Sequence, residues 1–219
     1  MLAVSNTCPD AERRYRMFPY IAAAAIGYLL GCSSMALYIA KLKKVDIRKK
    51  GSGNLGASNA MMLMGWGAGV LTALHDIGKS ALAIWLCRRL FPDAAYIGLV
   101  AGAGAVVGHN FPFYLRFKGG KGLAAYYGMT LMVNWKFALC LALAIAAITL
   151  ITDYISIGSV SAAVVFPAYV AVTLGWTTAA IVAVASLAVI CRHKENYIRI
   201  KNGTEVGFRR AKTGKDRVV

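Results

Sequence analysis

Four stretches almost free of charge, Tyr20 to Ala40, Ala94 to Leu115, Phe137 to Thr152 and Ile155 to Cys191, constrain this chain more than any other feature. At 1.5 Å per helical residue, each reads as a crossing of a hydrocarbon layer ~30 Å thick, and the last is long enough for two. A helix facing water needs a polar face, renewed every three or four positions, and these segments have none. Apolar residues make up 58% of the 219. Because they come in blocks, a single membrane domain is expected in place of one or two soluble ones.

The formal charge of +16 would also suit a nucleic-acid partner, so the placement of the cations decides. Six follow the first span (Lys41, Lys43, Lys44, Arg48, Lys49, Lys50), three surround the next polar loop (Arg116, Lys118, Lys121), and nine lie between Arg192 and Arg217. An even number of spans between successive segments, within an odd total, puts them all on one side. The positive-inside tendency makes that side the cytoplasm, with the amino terminus outside, and favours membrane lipid over nucleic acid as the partner. Arg13, Arg14 and Arg16 pull weakly the other way. Cys8, Cys32, Cys87, Cys140 and Cys191 are scattered and read as packing residues. The basic start followed by an apolar run resembles a signal peptide, but the run is long and lacks a clear cleavage site, so a retained first helix is expected.

The expected fold is an all-α integral membrane protein of about seven transmembrane helices, some short, with its reactive loops on the cytoplasmic face. Three parts are expected: a polar tail (1–17), one transmembrane domain (18–202) and a basic cytoplasmic tail (203–219). Segment 60–91 is the hardest to place. It contains Asp76 and Lys79, two charges at membrane depth, for which an i, i+3 ion pair is expected. That pair could staple helices or stand beside a site.

Three polar constellations interrupt the apolar blocks. The first is Gly51-Ser52-Gly53-Asn54-Leu55-Gly56-Ala57-Ser58-Asn59. Its glycines permit backbone N–H groups to turn inward and form a concave anion nest at a helix N-terminus. Ser52, Asn54, Ser58 and Asn59 add side-chain hydrogen bonds, and Ser58 or Asn59 could cap the next helix. A flexible loop with an N-cap is the plainer alternative. The second is Gly108-His109-Asn110-Phe111-Pro112 leading to Phe117-Lys118-Gly119-Gly120-Lys121-Gly122. Lysines separated by glycines allow a ligand to approach the backbone and supply charge to a phosphate or an oxyanion. Interfacial aromatics with snorkelling lysines explain Phe111, Phe113, Phe117 and Arg116, but not the glycine spacing. His109 could equally be a helix-end hydrogen-bonding group. The third runs from Arg192-His193-Lys194-Glu195-Asn196 to Gly203-Thr204-Glu205, with His193 and Asn196 three residues apart. Ser156, at the corner before the next-to-last span, falls on the same expected side.

In order and spacing these motifs resemble those of the PlsY family of bacterial acyl-phosphate:glycerol-3-phosphate acyltransferases, from about Gly27 to Glu205. The resemblance implies transfer of a fatty acyl group from acyl-phosphate to the 1-hydroxyl of glycerol 3-phosphate, giving lysophosphatidic acid and phosphate, in the bacterial inner membrane. It implies catalytic roles for Ser52, Lys121, His193 and Asn196. Substrate-binding roles fall to Gly51, Gly53, Asn54, Gly56, Ser58, Asn59, His109, Lys118, Gly119, Gly120, Gly122 and Ser156. A substrate phosphate would take the hydroxyl proton, and no carboxylate-backed base is visible. No cofactor is implied, and no His, Cys or carboxylate cluster has metal-ligand spacing. An enzyme producing acyl-phosphate is the implied partner.

Two departures stand out. The family usually carries Arg three residues after Asn59, where this chain has Met62, and Gly31-Cys32-Ser33-Ser34 stands where members tend to show Gly-Ser-Ile-Pro. Loss of that Arg removes a bidentate phosphate fork, which Arg48, Lys49 or Lys50 could replace. A membrane carrier or binding protein for small organic phosphates, or a weakly active paralogue, are the competing readings. A carrier should show related halves and a polar path through the bilayer, whereas here the polar groups crowd one side.

Overall fold

The computed structural model describes residues 9–209, and all regular structure among them is helical. Ten α-helices follow one another: α1 (Pro9–Cys32), α2 (Met35–Leu42), α3 (Ala57–Met64), α4 (Trp66–Leu90), α5 (Ile97–Asn110), α6 (Leu123–Val133), α7 (Trp135–Thr152), α8 (Ile155–Leu174), α9 (Trp176–Arg192) and α10 (Lys194–Lys201). Four segments are long and apolar enough to cross a bilayer: 17–42, 66–90, 135–152 and 155–174. The α9–α10 pair, bent by 42°, supplies a fifth if counted as one. A total of seven therefore depends on α5 and α6 as thin crossings of 14 and 11 residues. The α1 helix already begins at Pro9, inside the segment expected to be a tail.

Close packing comes from small residues. Along α1, Gly27 and Gly31 lie against Ala101 and Ala105 of α5, so closely that a Cβ at either glycine would collide with a carbonyl oxygen. Lipid offers no hydrophobic drive between helices, so such small-residue contacts supply the dispersion that holds them. A second seam joins α4, α5, α6, α8 and α9 through Ile84, Val106, Tyr126, Met129, Phe166 and Val189. There the Tyr126 hydroxyl finds Ser186 Oγ at 2.6 Å, which satisfies the seam's polar groups without water. Leu143, Ile151, Val172 and Leu187 stand exposed on the outside of the bundle, as a lipid-facing surface requires.

The corners at 91–96, Asn134 and Gly175 gather at one end. At the other end lie the 43–56 loop, the 111–122 loop, the α7–α8 corner and the α9–α10 bend. Every polar constellation of the sequence belongs to that second end.

Candidate active site

A cavity of about 850 Å³ opens at this end, and residues from all three constellations line it: Ser52, Asn54 and Ser58; Lys121 and Gly122; His193 and Asn196. Ser156 joins them from the start of α8. Deeper in the bundle the wall becomes apolar, with Ala73 and Ile77 of α4, Leu123 and Tyr127 of α6, and Ala142 and Ile145 of α7. One chamber thus joins a polar rim to an apolar interior.

The first loop is held in shape from within. Gly51 and Gly53 take left-handed backbone (φ 58° and 65°), which lets the chain fold back over α3. Buried Asn59 is the anchor. Its Oδ1 accepts from Ser52 N at 3.0 Å, and its Nδ2 donates to the carbonyls of Asn54 at 3.0 Å and Ile47 at 3.2 Å. Asn59 lines the cavity, yet its polar atoms serve the loop instead of a ligand. The helix cap is Gly56, not Ser58 or Asn59, which lie within α3's first turn. The early N–H groups of α3 therefore have no side-chain cap and remain available to an anion.

The second loop is built differently from expectation. Gly119 and Gly120 do not line the cavity; they fold onto the end of α5, where their N–H groups donate to the carbonyls of Asn110 and His109, both at 3.1 Å. Arg192 clamps them from the other side, Nε donating to Gly120 O at 3.0 Å and Nη2 to Gly119 O at 2.8 Å. A Cβ at Gly120 would strike the His109 ring, so these glycines allow packing and not ligand approach. Lys118 is exposed and outside the cavity; Gly53, half-buried, is outside it too, and its N–H donates to Lys50 O at 3.1 Å. Lys121 does face the cavity. Burial pulls its ammonium down to about 8, opposed by the Glu205 carboxylate.

His109 lines the cavity but is tied into a buried group. Lys79 Nζ lies 2.7 Å from Asp76 Oδ1 and 2.8 Å from His109 Nδ1, and donates to Ser33 O at 2.7 Å. The expected Asp76–Lys79 pair is thus present, completed by His109 and the Ser33 carbonyl.

At the α9–α10 bend, His193 Nδ1 lies 2.8 Å from Val189 O. A carbonyl only accepts, so Nδ1 carries the proton and Nε2 is bare. Burial lowers this imidazole to about 4, partly offset by the Val189 carbonyl, so it is neutral at pH 7. Asn196 donates through Nδ2 to Glu205 Oε1 at 2.5 Å, while Arg199 Nε donates to Glu205 Oε2 at 2.6 Å. Asn54 Oδ1, Ser156 Oγ and Asn196 Oδ1 are buried without a hydrogen-bond partner among the described residues. Buried polar atoms rarely stay unsatisfied, so three of them around one chamber mark where a ligand's polar groups fit.

The start of the segment expected to be a basic cytoplasmic tail (203–219) completes the wall. Thr204, Glu205, Val206 and Phe208 line the cavity, and Phe208 N donates to Asp153 O at 2.7 Å. Residues 210–219 of that tail lie outside the described residues. Sequence reasoning also missed Arg199, which lines the cavity. It lies three residues beyond Asn196, so extending the helical face of His193 and Asn196 by one step would have found it. Among the described residues, no group of three or more His, Cys, Asp or Glu is placed to hold a metal ion.

Comparison with known proteins identifies the family. Residues 21–203 match the family described as Glycerol-3-phosphate acyltransferase. A relative of that name from Brucella anthropi is 36% identical over 197 residues, covering 89% of this chain and 96% of its own. The fold superimposes on the crystal structure of PlsY, an integral membrane glycerol 3-phosphate acyltransferase, in its glycerol 3-phosphate form. There the TM-score is 0.80 at 32% identity, over 86% of this chain and 95% of that one. The lysophosphatidic acid form matches with a TM-score of 0.78 at 30% identity, over 89% and 98%. With its chamber, its multi-pass helical bundle and this coverage, the chain belongs to the glycerol-3-phosphate acyltransferase family.

Proposed function

We propose that this protein transfers a fatty acyl group from acyl-phosphate to the 1-hydroxyl of glycerol 3-phosphate, releasing lysophosphatidic acid and phosphate, at the cytoplasmic face of the bacterial inner membrane. The observation that carries this reading is the double character of the chamber. Its polar rim suits two phosphates, and its apolar wall of Ile77, Tyr127, Ala142 and Ile145 suits an acyl chain. The related PlsY structures, named for their glycerol 3-phosphate and lysophosphatidic acid forms, support the acceptor and the product.

In the proposed reaction the acceptor's hydroxyl oxygen attacks the acyl carbonyl, the bond from that carbon to the phosphate oxygen breaks, and the hydroxyl proton leaves on the released phosphate. The donor carries its own leaving group, so the reaction needs no cofactor. The protein's task is to align two anions and offset their repulsion. The α3 N-terminus, Ser52, Ser58, Ser156 and Lys121 provide donors for phosphate. His193 is too weak a base to hold the proton at pH 7, which agrees with phosphate as its final carrier. Met62 lines the cavity where the family usually has Arg. Arg199 and Lys121 are the arginine and lysine side chains lining the chamber among the described residues, and Arg199 is already paired with Glu205. An enzyme that makes acyl-phosphate must supply the donor.

The test is phosphate release by purified protein in detergent with palmitoyl-phosphate and glycerol 3-phosphate. Release that depends on both substrates is expected. Binding of both without turnover would overturn the reading.

A further inference from the structure

Outside the chamber, the turn that ends α2 forms a second cavity of about 340 Å³, between the helix end and segment 45–48. We propose that this groove binds an anionic phospholipid of the surrounding leaflet: Lys41, Lys44 and Arg48 take its phosphate, and the apolar floor takes the first part of an acyl chain. The site shares no lining residue with the chamber and is independent of the transfer reaction.

The backbone builds the groove. The α2 helix closes in a Schellman turn, with Lys44 N donating to Lys41 O at 3.3 Å and Val45 N to Ala40 O at 2.9 Å. Lys44, at the crest of that turn, takes left-handed backbone (φ 54°), where glycine is the usual occupant. The turn brings Val45 back toward Ala40, and with Leu37 these residues form the apolar floor. Leu37 lies one helical turn before Lys41, about 6 Å along the axis toward the bilayer interior. Segment 17–42 is a membrane span, and Leu42, its last residue, is 84% exposed. The groove therefore opens at the level where hydrocarbon gives way to headgroups.

The six cations that follow the first span are divided by their partners. Lys43 Nζ donates to Met64 O at 2.8 Å, and Lys49 pairs with Asp46 at 3.6 Å. Among the described residues the other four have no partner for their charge, and three of these, Lys41, Lys44 and Arg48, line this one groove. Asp46 lines it too, but its oxygens are engaged by Lys49 and by Arg48 N at 3.2 Å. Arg48 thus stands here and not in the chamber, so it does not replace the charge that Met62 lacks.

Membrane topology asks only for cations somewhere in such a loop. It does not call for three of them on one cavity, or for a lysine where glycine is favoured. A free phosphate would use the rim and leave the floor bare. A zwitterionic lipid brings its own cation, which the rim repels. An anionic phospholipid satisfies both parts of the groove.

The experiment is native mass spectrometry of the purified protein in detergent, titrated at low salt with phosphatidylglycerol or phosphatidylcholine. A cation near a lipid surface strengthens binding about fivefold, so three predict a preference for phosphatidylglycerol on the order of a hundredfold. Lys41→Gln with Lys44→Gly should reduce that preference to about fivefold, the share of Arg48. Glycine suits the left-handed position, so the thermal unfolding of this variant should stay near wild type. Removing two exposed cations at the same end of the bundle, Lys194→Gln with Lys201→Gln, should leave the preference within about threefold of wild type.

Equal binding of the two lipids would overturn the inference. An equal loss in the Lys194 and Lys201 variant would also overturn it, by assigning the preference to the diffuse charge of the whole face. Displacement of phosphatidylglycerol by excess inorganic phosphate at constant ionic strength would make the ligand a free phosphate and overturn it likewise. Should the double variant fail to fold, Lys41→Gln alone leaves the turn untouched and should lose about fivefold; no loss there would count as the same failure.

Discussion

Two polar regions lie within one bundle, and they treat their charges in opposite ways. The group of Asp76, Lys79, His109 and Ser33 is closed: the ammonium at its centre sits between a carboxylate, an imidazole and a carbonyl, all within 2.8 Å. The chamber rim is open: among the described residues Lys121 has no ion pair, and the buried oxygens of Asn54, Ser156 and Asn196 have no partner. Burying a charge in a membrane costs several kcal/mol unless it is paired, so closure is what a purely structural group needs. Openness is tolerated only where a ligand supplies what is missing. The difference separates residues that hold the site from those that use it, and each prediction below sets one region against the other.

The largest effect is expected at the open region. Lys121→Ala should lower turnover by at least ~10³-fold while leaving membrane insertion and thermal unfolding in detergent near wild type. Asn54→Ala should behave similarly. Normal rates in both would remove the chamber from the chemistry. In the closed region the order reverses. Lys79→Met leaves Asp76 buried without its partner and should destabilise the fold by roughly 3–5 kcal/mol, read as a lower unfolding temperature. Adding Asp76→Leu should restore much of that loss, which a catalytic pair would not allow.

Between the two stands Asn59, which faces the chamber yet spends its amide on the loop. Asn59→Ala should cost about 1–3 kcal/mol of stability, because buried backbone groups lose their partner. It should also raise KM for glycerol 3-phosphate more than it lowers kcat, since the nest loosens while Lys121 stays. A kcat defect with unchanged KM would reassign it to the reacting atoms.

Asn59 also shows where sequence reading stops. The span blocks were legible because hydropathy is a local property of the chain, and the grouping of Ser52, Lys121 and His193 was legible through the order of three motifs that resemble one family. The Asp76–Lys79 pair was legible because an i, i+3 spacing is geometric. Which member of a polar run faces a ligand and which faces its own loop depends on where the chain folds back, and residue types do not encode that. Gly119 and Gly120 failed for this reason: the sequence shows two flexible residues, but whether they admit a substrate or the His109 ring is settled by the position of α5. The docking of 204–208 onto Asp153 was hidden because a short polar segment carries no periodicity to distinguish a strap from a tail.

The pH response should sharpen the contrast further. Lys121 is lowered to about 8, so its charge is present at pH 7 and is lost as pH rises through that value. Phosphate monoesters are already dianions there, with a second pKa near 6. KM for glycerol 3-phosphate should therefore rise about tenfold from pH 7 to pH 9, and Lys121→Arg should flatten that limb. His193, lowered to about 4, stays neutral throughout. Its burial makes the fold most stable above about 6.5, with stability falling as pH drops from there toward 4. A KM that is flat to pH 9 in the wild type would mean that Lys121 keeps its charge or does not meet the phosphate.

The smallest effect belongs to Lys118, and it is the most direct comparison because Lys118 and Lys121 share one loop and one glycine pair. By sequence both were expected to meet the substrate, Lys121 in a catalytic role and Lys118 in a binding one. In the structure Lys118 is exposed and outside the chamber, while Lys121 lines it. A charge in water is screened within about 10 Å at 0.1 M salt, whereas one at the mouth of a low-dielectric cavity is not. Lys118→Ala should therefore change kcat and KM by less than about twofold at 0.15 M salt. The effect should grow only at low ionic strength, where Lys118 adds to the attraction that brings anions to the face. A tenfold loss at 0.15 M salt would mean that the loop turns over when substrate binds and brings Lys118 inside, which would make the glycine pair a hinge and not a packing device.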